Sequence, residues 1–295
     1  MKVTGFTFVR NAVKYDYPVV EAIRSVLPLC DDFVVAVGNS EDGTLEMIRQ
    51  IDPEKIKIIN TVWDDSLREG GKVLAAETDK AFQAIDADSD WCFYIQGDEV
   101  VHERDLDTIR RAMLQWKEDP SVDGLLFNYL HFYGSYDYIR DSNRWYKKEI
   151  RVIRNNKHIY SYRDAQGFRK EDNQKLHVKA VDAYIYHYGC VKNPRQMKLK
   201  VENSARLYHD NDWIEKNISK GEEFDFGETD SFKRFTDTHP QVMWKRIAEK
   251  NWDFNYKESQ NRSSWKDRFK DFLKDYLHMD LYYRNYIVIP PGRKR

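Results

Sequence analysis

The sequence predicts an α/β protein: a mixed, mostly parallel sheet flanked by helices over residues 1–190, with a mostly helical C-terminal extension over 191–295. Three observations predict it. The N-terminal segment alternates strand and helix patterns through short polar turns, the logic of βαβ units and a parallel sheet. The run Trp91-Cys92-Phe93-Tyr94-Ile95 is apolar throughout, as a buried strand is. Beyond residue 190, apolar residues recur at helical spacing among charged ones, with punctuation at Gly221, Gly227 and Pro240.

Taken in order, Val3–Val9 alternates and runs apolar, which predicts the first strand. Pro18–Leu27 carries Val19, Ala22, Ile23, Val26 and Leu27 at helical spacing, opened by a proline and stopped by Pro28. Phe33–Val37 is a short apolar strand running into the polar turn Gly38–Thr44, after which Leu45, Ile48 and Ile51 begin a helical face. Lys55–Asn60 is a third strand, and Trp63-Asp64-Asp65 a loop. Gly70-Gly71 starts a helix through Val73, Leu74, Ala76, Ala81, Phe82 and Ile85 that leads to the apolar run at Trp91. Leu106–Lys117 reads as an amphipathic helix ended near Pro120, and Val122–Tyr133 as a strand. Glu149–Arg154 and His158–Tyr162 predict a hairpin around Asn155-Asn156, and Val178–Tyr188 a further strand. There is no internal repeat.

The charge balance, 48 basic against 49 acidic residues, argues against a nucleic-acid binder that works through phosphates. Three cysteines, Cys30, Cys92 and Cys190, have no metal spacing; the first two sit beside or within apolar segments and read as buried thiols of a reducing compartment. A strand pattern begins at Val3, so no signal peptide is expected, and no apolar run approaches the ~20 residues of a membrane span. These features predict a cytoplasmic protein. In the extension, Trp265, Phe269, Phe272, Leu273, Tyr276 and Leu277 form an apolar stripe with Lys266, Arg268, Lys270 and Lys274 on other faces. It reads first as a helix docked on the core. The second reading is peripheral contact with the inner membrane face through 262–295, which the interleaved Asp267, Asp271 and Asp275 weaken.

The apolar run ends on Gly97-Asp98-Glu99. A buried strand delivering acids at its C-terminal end places them where open α/β sheets bind ligands. Acids held there find a cation or shift their pKa. The alternative is an acid pair at the start of the next helix. Similarly, the Gly38–Thr44 turn can present backbone N–H groups to a nucleotide, or Ser40 or Asp42 can cap the following helix.

Gly38-Asn39-Ser40-Glu41-Asp42-Gly43-Thr44 resembles the Asp-Asp-Gly-Ser-Thr-Asp-Gly-Thr signature of glycosyltransferase family 2, which has the GT-A fold. Ile95-Gln96-Gly97-Asp98-Glu99 resembles that family's Asp-x-Asp metal motif, and Asp79 sits where the family often has an asparagine. The chain departs from the family at Val37, Gly38 and Asn39, where acids usually touch the uracil and ribose, and at Gln96, the first aspartate of the motif. The resemblance covers roughly residues 1–190 and implies a GT-A-like (Rossmann-like) sheet with a Mg²⁺ or Mn²⁺ held by Asp98, with Glu99 as a further candidate. Tyr186-His187-Tyr188-Gly189 resembles a His-Tyr-Gly element whose histidine completes the metal site, which adds His187. Implied donor-binding positions are Arg10, Asn11, Asn39, Ser40, Asp42, Lys72, Asp79 and Lys192, with Arg195 beside the last. The family's catalytic carboxylate falls between the metal motif and the last core strand. Asp164 fits, in Arg163-Asp164-Ala165-Gln166-Gly167, with Glu149 as rival. Arg144-Trp145-Tyr146 and Tyr133 are candidates for an acceptor wall.

The activity this implies is a metal-dependent, inverting glycosyltransferase of hexosyltransferase type, taking a nucleotide-sugar donor, UDP-sugars first, to a saccharide or lipid-linked acceptor. The alternatives are a sugar nucleotidyltransferase, whose glycine-rich N-terminal loop is missing from Arg10-Asn11-Ala12-Val13-Lys14, and a non-catalytic nucleotide- or sugar-binding module.

Overall fold

The computed structural model describes residues 1–254 and 284–290, apart from 68, 143, 144, 219, 220 and 228–230. The first half is built as the hydropathy pattern dictates. Strand β1 (Val3–Val9) lies between β2 (Asp32–Val37) and β4 (Trp91–Tyr94), and β3 (Ile56–Asn60) flanks β2, all parallel. Helices α1 (Val19–Val26), α2 (Thr44–Arg49) and α3 (Lys72–Gln83) make the crossovers. Strand β4 is buried on both faces: Trp91 and Phe93 join the core layer under α1, and Cys92 and Tyr94 join the layer under α3 with Phe82. That two-sided burial is why the run lacks polar alternation.

The second half continues through β5 (Glu99–Val101), α4 (Leu106–Trp116), β6 (Gly124–Tyr133), β7 (Ser135–Arg140), β8 (Lys148–Arg154), β9 (Ile159–Tyr162), β10 (Gly167–Lys170) and β11 (Gln174–Cys190). After them come α5 (Pro194–Tyr208), α6 (Asn211–Asn217), β12 (Phe232–Arg234), α7 (Trp244–Ala248) and β13 (Tyr286–Val288). The sheet runs β3-β2-β1-β4-β8-β6-β11-β10-β9, a mixed α/β arrangement flanked by helices.

The hairpin predicted around Asn155-Asn156 does not form. Strand β8 pairs antiparallel with β4 on one edge and β6 on the other, so it has no edge left for β9. Strand β9 pairs with β10 instead, and β10 with β11. The stripe between Trp265 and Leu277 and nearly all of 262–295 lie outside the described residues. Among the described residues no helix is long and apolar enough to cross a membrane. Cys30 and Cys92 are buried free thiols, each pushed up to about 12 by burial.

Two features of this framework position the site. Strand β11 runs parallel to β6 and antiparallel to β5, in a register that sets His187 opposite both His131 and Glu99. Beneath them, Arg151 of β8 and Glu99 are both fully buried and joined by two 2.7 Å hydrogen bonds from Nε and Nη2. Arg151 also donates to the Gln166 carbonyl oxygen at 2.9 Å, so one guanidinium ties the start of β5 to the turn before β10. Replacing Arg151 with methionine strands a buried carboxylate. The expected loss in urea denaturation is about 3–5 kcal/mol; a loss below about 1 kcal/mol would show that the pair holds nothing.

Candidate active site

A cleft of about 340 Å³ opens at the C-terminal ends of β1 and β4. Phe8, Trp63 and Leu74 make an apolar end, and Asp98, His187 and Lys200 an ionic one. Arg10 lies at the apolar end, its guanidinium 4.1 Å over the Trp63 ring and 2.9 Å from Asp65. Four residues of α5, Lys200, Asn203, Ser204 and Tyr208, form one wall. Their spacing of three, one and four residues is a single helical face. The sequence places α5 in the extension, yet it completes the cleft.

Asp98 is buried at the ionic end. Lys200 Nζ donates to its Oδ2 at 2.9 Å and to the Gly189 carbonyl oxygen at 2.7 Å. Burial opposes the charge on Asp98, but Lys200 foremost, with Lys192, outweighs it and holds the carboxyl well below the usual range. The imidazole of His187 lies with Nε2 3.6 Å from Asp98 Oδ1. A side chain at Gly189 would collide with both groups, its Cβ falling 2.7 Å from Asp98 Oδ2 and from His187 Nε2. Glycine there leaves the space between them clear.

The protonation of His187 follows from its neighbours. His131 Nε2 lies 2.8 Å from the Tyr146 carbonyl oxygen, so that nitrogen carries a proton. Burial and the neighbouring His187 push His131 well down, so the ring is neutral and its Nδ1 accepts. His187 Nδ1, 3.1 Å away, is then the donor. Burial also lowers His187, against the pull of Asp98, and its neutral form presents an unprotonated Nε2 to Asp98. A lone pair and a carboxylate oxygen facing each other at 3.6 Å fit a shared cation. Among the described residues no three His, Cys, Asp or Glu side chains are grouped to hold a metal. A divalent ion here would have two protein donors and take the rest from phosphate or water.

Glu99 leaves the set of candidate ligands. Its oxygens are taken by Arg151, by the Tyr129 hydroxyl at 2.8 Å and by the Gln96 backbone N–H at 3.1 Å, and it is fully buried. Gln96 itself donates through Nε2 to the Ala165 carbonyl oxygen at 3.0 Å. The residue in the first motif position is a strut to the 163–166 turn.

Asp164 lines the same cleft, on the turn that Gln96 and Arg151 hold. The Tyr208 hydroxyl donates to its Oδ2 at 2.9 Å. Both neighbours, Arg163 (φ 58°) and Ala165 (φ 63°), have left-handed backbone, which costs a non-glycine residue on the order of 1–3 kcal/mol where it is strained. The surrounding hydrogen bonds hold this conformation and with it the carboxylate. The adjoining Gly71 (φ 70°) has no room for a side chain either, since a Cβ would meet Asp164 Cβ at 2.9 Å.

No family model and no curated protein matches the chain. Among solved structures it is similar to S. aureus TarS in complex with UDP, at 14% identity and TM-score 0.38, over 75% of this chain and 68% of that one. It is also similar to a mannosyltransferase from Pyrobaculum calidifontis in complex with GDP-Man and Mn²⁺, at 19% identity and TM-score 0.32, over 42% of this chain and 34% of that one. A 4-diphosphocytidyl-2C-methyl-D-erythritol synthase from Anaerococcus prevotii gives 12% identity and TM-score 0.40, over 69% and 94%.

Of the donor-binding positions expected from the sequence, the cleft gathers Arg10. The others lie outside its lining. Asn11 Oδ1 accepts from Glu41 N at 2.8 Å, Ser40 Oγ from Asn11 N at 3.0 Å, and Asp42 from Lys14 N at 2.7 Å and Thr44 N at 3.1 Å. Together these tie the segment after β1 to the turn after β2. Asn39 is exposed, and accepts from Trp63 N at 3.3 Å. Lys72 pairs with Glu69 at 2.8 Å in solvent, and Asp79 accepts from Ser161 N at 2.7 Å, pinning β9 to α3. Lys192 is buried, donating to the Asp16 carbonyl oxygen, and burial pushes it down to about 7. Arg195 pairs with Glu223 at 3.2 Å. Of the expected acceptor wall, Trp145 and Tyr146 line the cleft, Tyr133 stacks on Phe232 at 5.0 Å, and Arg144 lies outside the described residues.

The rival base, Glu149, is buried beneath Gly167, away from the cleft lining, and accepts from Ile150 N at 2.9 Å. Burial pushes it up from 4.5 to about 7, against the pull of Arg151. An acid raised on folding contributes fully below its unfolded pKa, and the contribution is lost as pH rises through the folded one. Glu149→Gln should therefore gain on the wild type between pH 4.5 and 8, reaching about 3 kcal/mol at about 1.4 kcal/mol per unit. Urea denaturation at pH 5 and pH 8 checks this; an equal effect at both would show that Glu149 does not titrate there.

Proposed function

We propose that this chain is a metal-dependent, inverting glycosyltransferase of hexosyltransferase type that transfers a sugar from a nucleoside-diphosphate donor to a saccharide or lipid-linked acceptor. The observation that carries the reading is one cleft holding a carboxylate opposed to an unprotonated imidazole, Asp98 and His187, together with a separate carboxylate, Asp164. Glycosyl transfer needs those two functions in one place. The bond from the anomeric carbon to the diphosphate oxygen breaks and one to the acceptor oxygen forms. The acceptor's proton goes to a base, and one further negative charge is left on the departing diphosphate.

A divalent ion held by Asp98 and His187 would neutralise the leaving diphosphate. Imidazole nitrogen in the donor set favours Mn²⁺ over Mg²⁺. Lys200, already bonded to Asp98, and Arg10 add charge-assisted donors for the same oxygens. The apolar end between Phe8 and Trp63 suits the nucleobase, with UDP-sugars the first donors to test by the sequence resemblance. Asp164 takes the acceptor proton, held in place by Tyr208 and the Gln96 strut. One carboxylate on the cleft apart from that at the candidate metal end suits direct displacement with inversion.

Ligand binding raises the melting temperature by mass action. A panel of nucleotide sugars with and without Mn²⁺ is therefore expected to show one preferred donor whose shift needs the metal. Equal shifts for all nucleotides, or none that depends on Mn²⁺, would contradict the reading.

A further inference from the structure

The face of α5 does more than close the cleft. Lys200 reaches Asp98 and Tyr208 reaches Asp164, so the helix spans from the candidate metal end to the candidate base. At a rise of 1.5 Å per residue the two positions are about 12 Å apart along the axis. Asn203 and Ser204 sit half-way between them, and both line the cleft. Neither side chain is hydrogen-bonded to another described residue, whereas Lys200 and Tyr208 are engaged at either end.

We propose that Asn203 and Ser204 read the hydroxyl groups of the transferred sugar. The inference rests on the glycosyltransferase reading above and names the part of the donor that α5 selects. In a displacement whose leaving diphosphate lies at Asp98 and whose base is Asp164, the reacting carbon lies between them. The sugar ring must therefore occupy the middle of the cleft, under residues 203 and 204. An amide offers two donors and an acceptor and a hydroxyl offers both roles, which matches sugar hydroxyls that both donate and accept. Neither carries charge, so they add little for the diphosphate, which Lys200 and Arg10 serve. Trp145 and Tyr146, on the cleft lining, supply ring faces for the apolar side of a pyranose.

The test compares each bare nucleoside diphosphate with its own sugars. Calorimetric titration with Mn²⁺ present would use UDP, UDP-glucose, UDP-N-acetylglucosamine, GDP and GDP-mannose. The proteins are the wild type, Asn203→Ala, Ser204→Ala and the double variant, with melting temperatures confirming that each is folded. The wild type is expected to bind one nucleotide sugar more tightly than the corresponding diphosphate. Each single variant should lose about tenfold of that increment, as a neutral hydrogen bond predicts, with bare diphosphate affinity held within about twofold. The double variant should lose the preference among sugars on one nucleotide. An increment that survives both substitutions overturns the proposal. So does an equal loss for the bare diphosphate, which would assign the two residues to the phosphate end or to helix packing. A wild type that binds UDP or GDP but gains nothing from the sugar overturns this inference and leaves the glycosyltransferase reading standing. A wild type that binds neither diphosphate nor nucleotide sugar overturns both.

Discussion

Asp98→Asn is expected to abolish metal-dependent nucleotide binding in a protein that still folds. The amide keeps the shape of the carboxylate but loses the negative charge that a divalent ion needs and that faces His187 Nε2 at 3.6 Å. It also leaves the Lys200 ammonium, 15% exposed, with the Gly189 carbonyl oxygen as its remaining hydrogen-bond acceptor among the described residues. That stranded cation should cost stability, up to about 3 kcal/mol after allowance for its partial exposure. The double variant Asp98→Asn/Lys200→Gln removes the stranded charge. It should regain most of the melting temperature and none of the Mn²⁺-dependent binding. Calorimetric titration of UDP with and without Mn²⁺ checks the assignment, and binding in Asp98→Asn that still depends on the metal would reject it.

Asp164→Asn is the second large effect. The asparagine keeps the shape and its carbonyl oxygen still accepts from Tyr208, but it cannot take the acceptor's proton. General-base catalysis contributes about 10²–10⁴ in rate, so turnover should fall by that factor while donor affinity barely changes. A residue serving the turn alone would behave differently, with a modest loss of stability and near-normal turnover. The turn is held independently of the Asp164 side chain, by Gln96 on the Ala165 carbonyl and Arg151 on the Gln166 carbonyl. The variant should therefore fold, and turnover measured beside melting temperature decides between the two roles. Near-wild-type turnover would reject Asp164 as the base.

Much of the fold was legible because its signals are local. The βαβ segment shows in the periodicity of Val3–Val9, the proline-opened helix before Pro28 and the apolar run at Trp91, where a strand buried on both faces has no other pattern open to it. What was not legible depends on pairing across the chain. The local pattern of Glu149–Arg154 and His158–Tyr162 looks like a hairpin, and only the capture of β8 between β4 and β6 forbids it. Glu99 looks like a metal ligand beside Asp98 until Arg151, fifty-two positions away, takes its oxygens. His131 and Lys200 carried no local signal. One becomes part of the site through the register of β6 with β11, the other through the docking of α5. The turn after β2 was read for its likeness to a nucleotide-binding signature, yet Asn11, Ser40 and Asp42 spend their side chains on backbone N–H groups. Polar residues in a loop show the same letters whether they bind a ligand or hold the loop.

On the proposed function the cleft is expected to release a sugar from its nucleoside diphosphate, with Asp98 required. The decisive measurement is phosphorus NMR of the purified protein incubated with a nucleotide sugar, Mn²⁺ and a saccharide acceptor, with the paramagnetic metal chelated before observation. Growth of nucleoside-diphosphate signals that need the metal and vanish in Asp98→Asn is expected. Pyrophosphate release from a nucleoside triphosphate and a sugar 1-phosphate, with nucleotide sugars left intact, would contradict it and assign the cleft to nucleotidyl transfer.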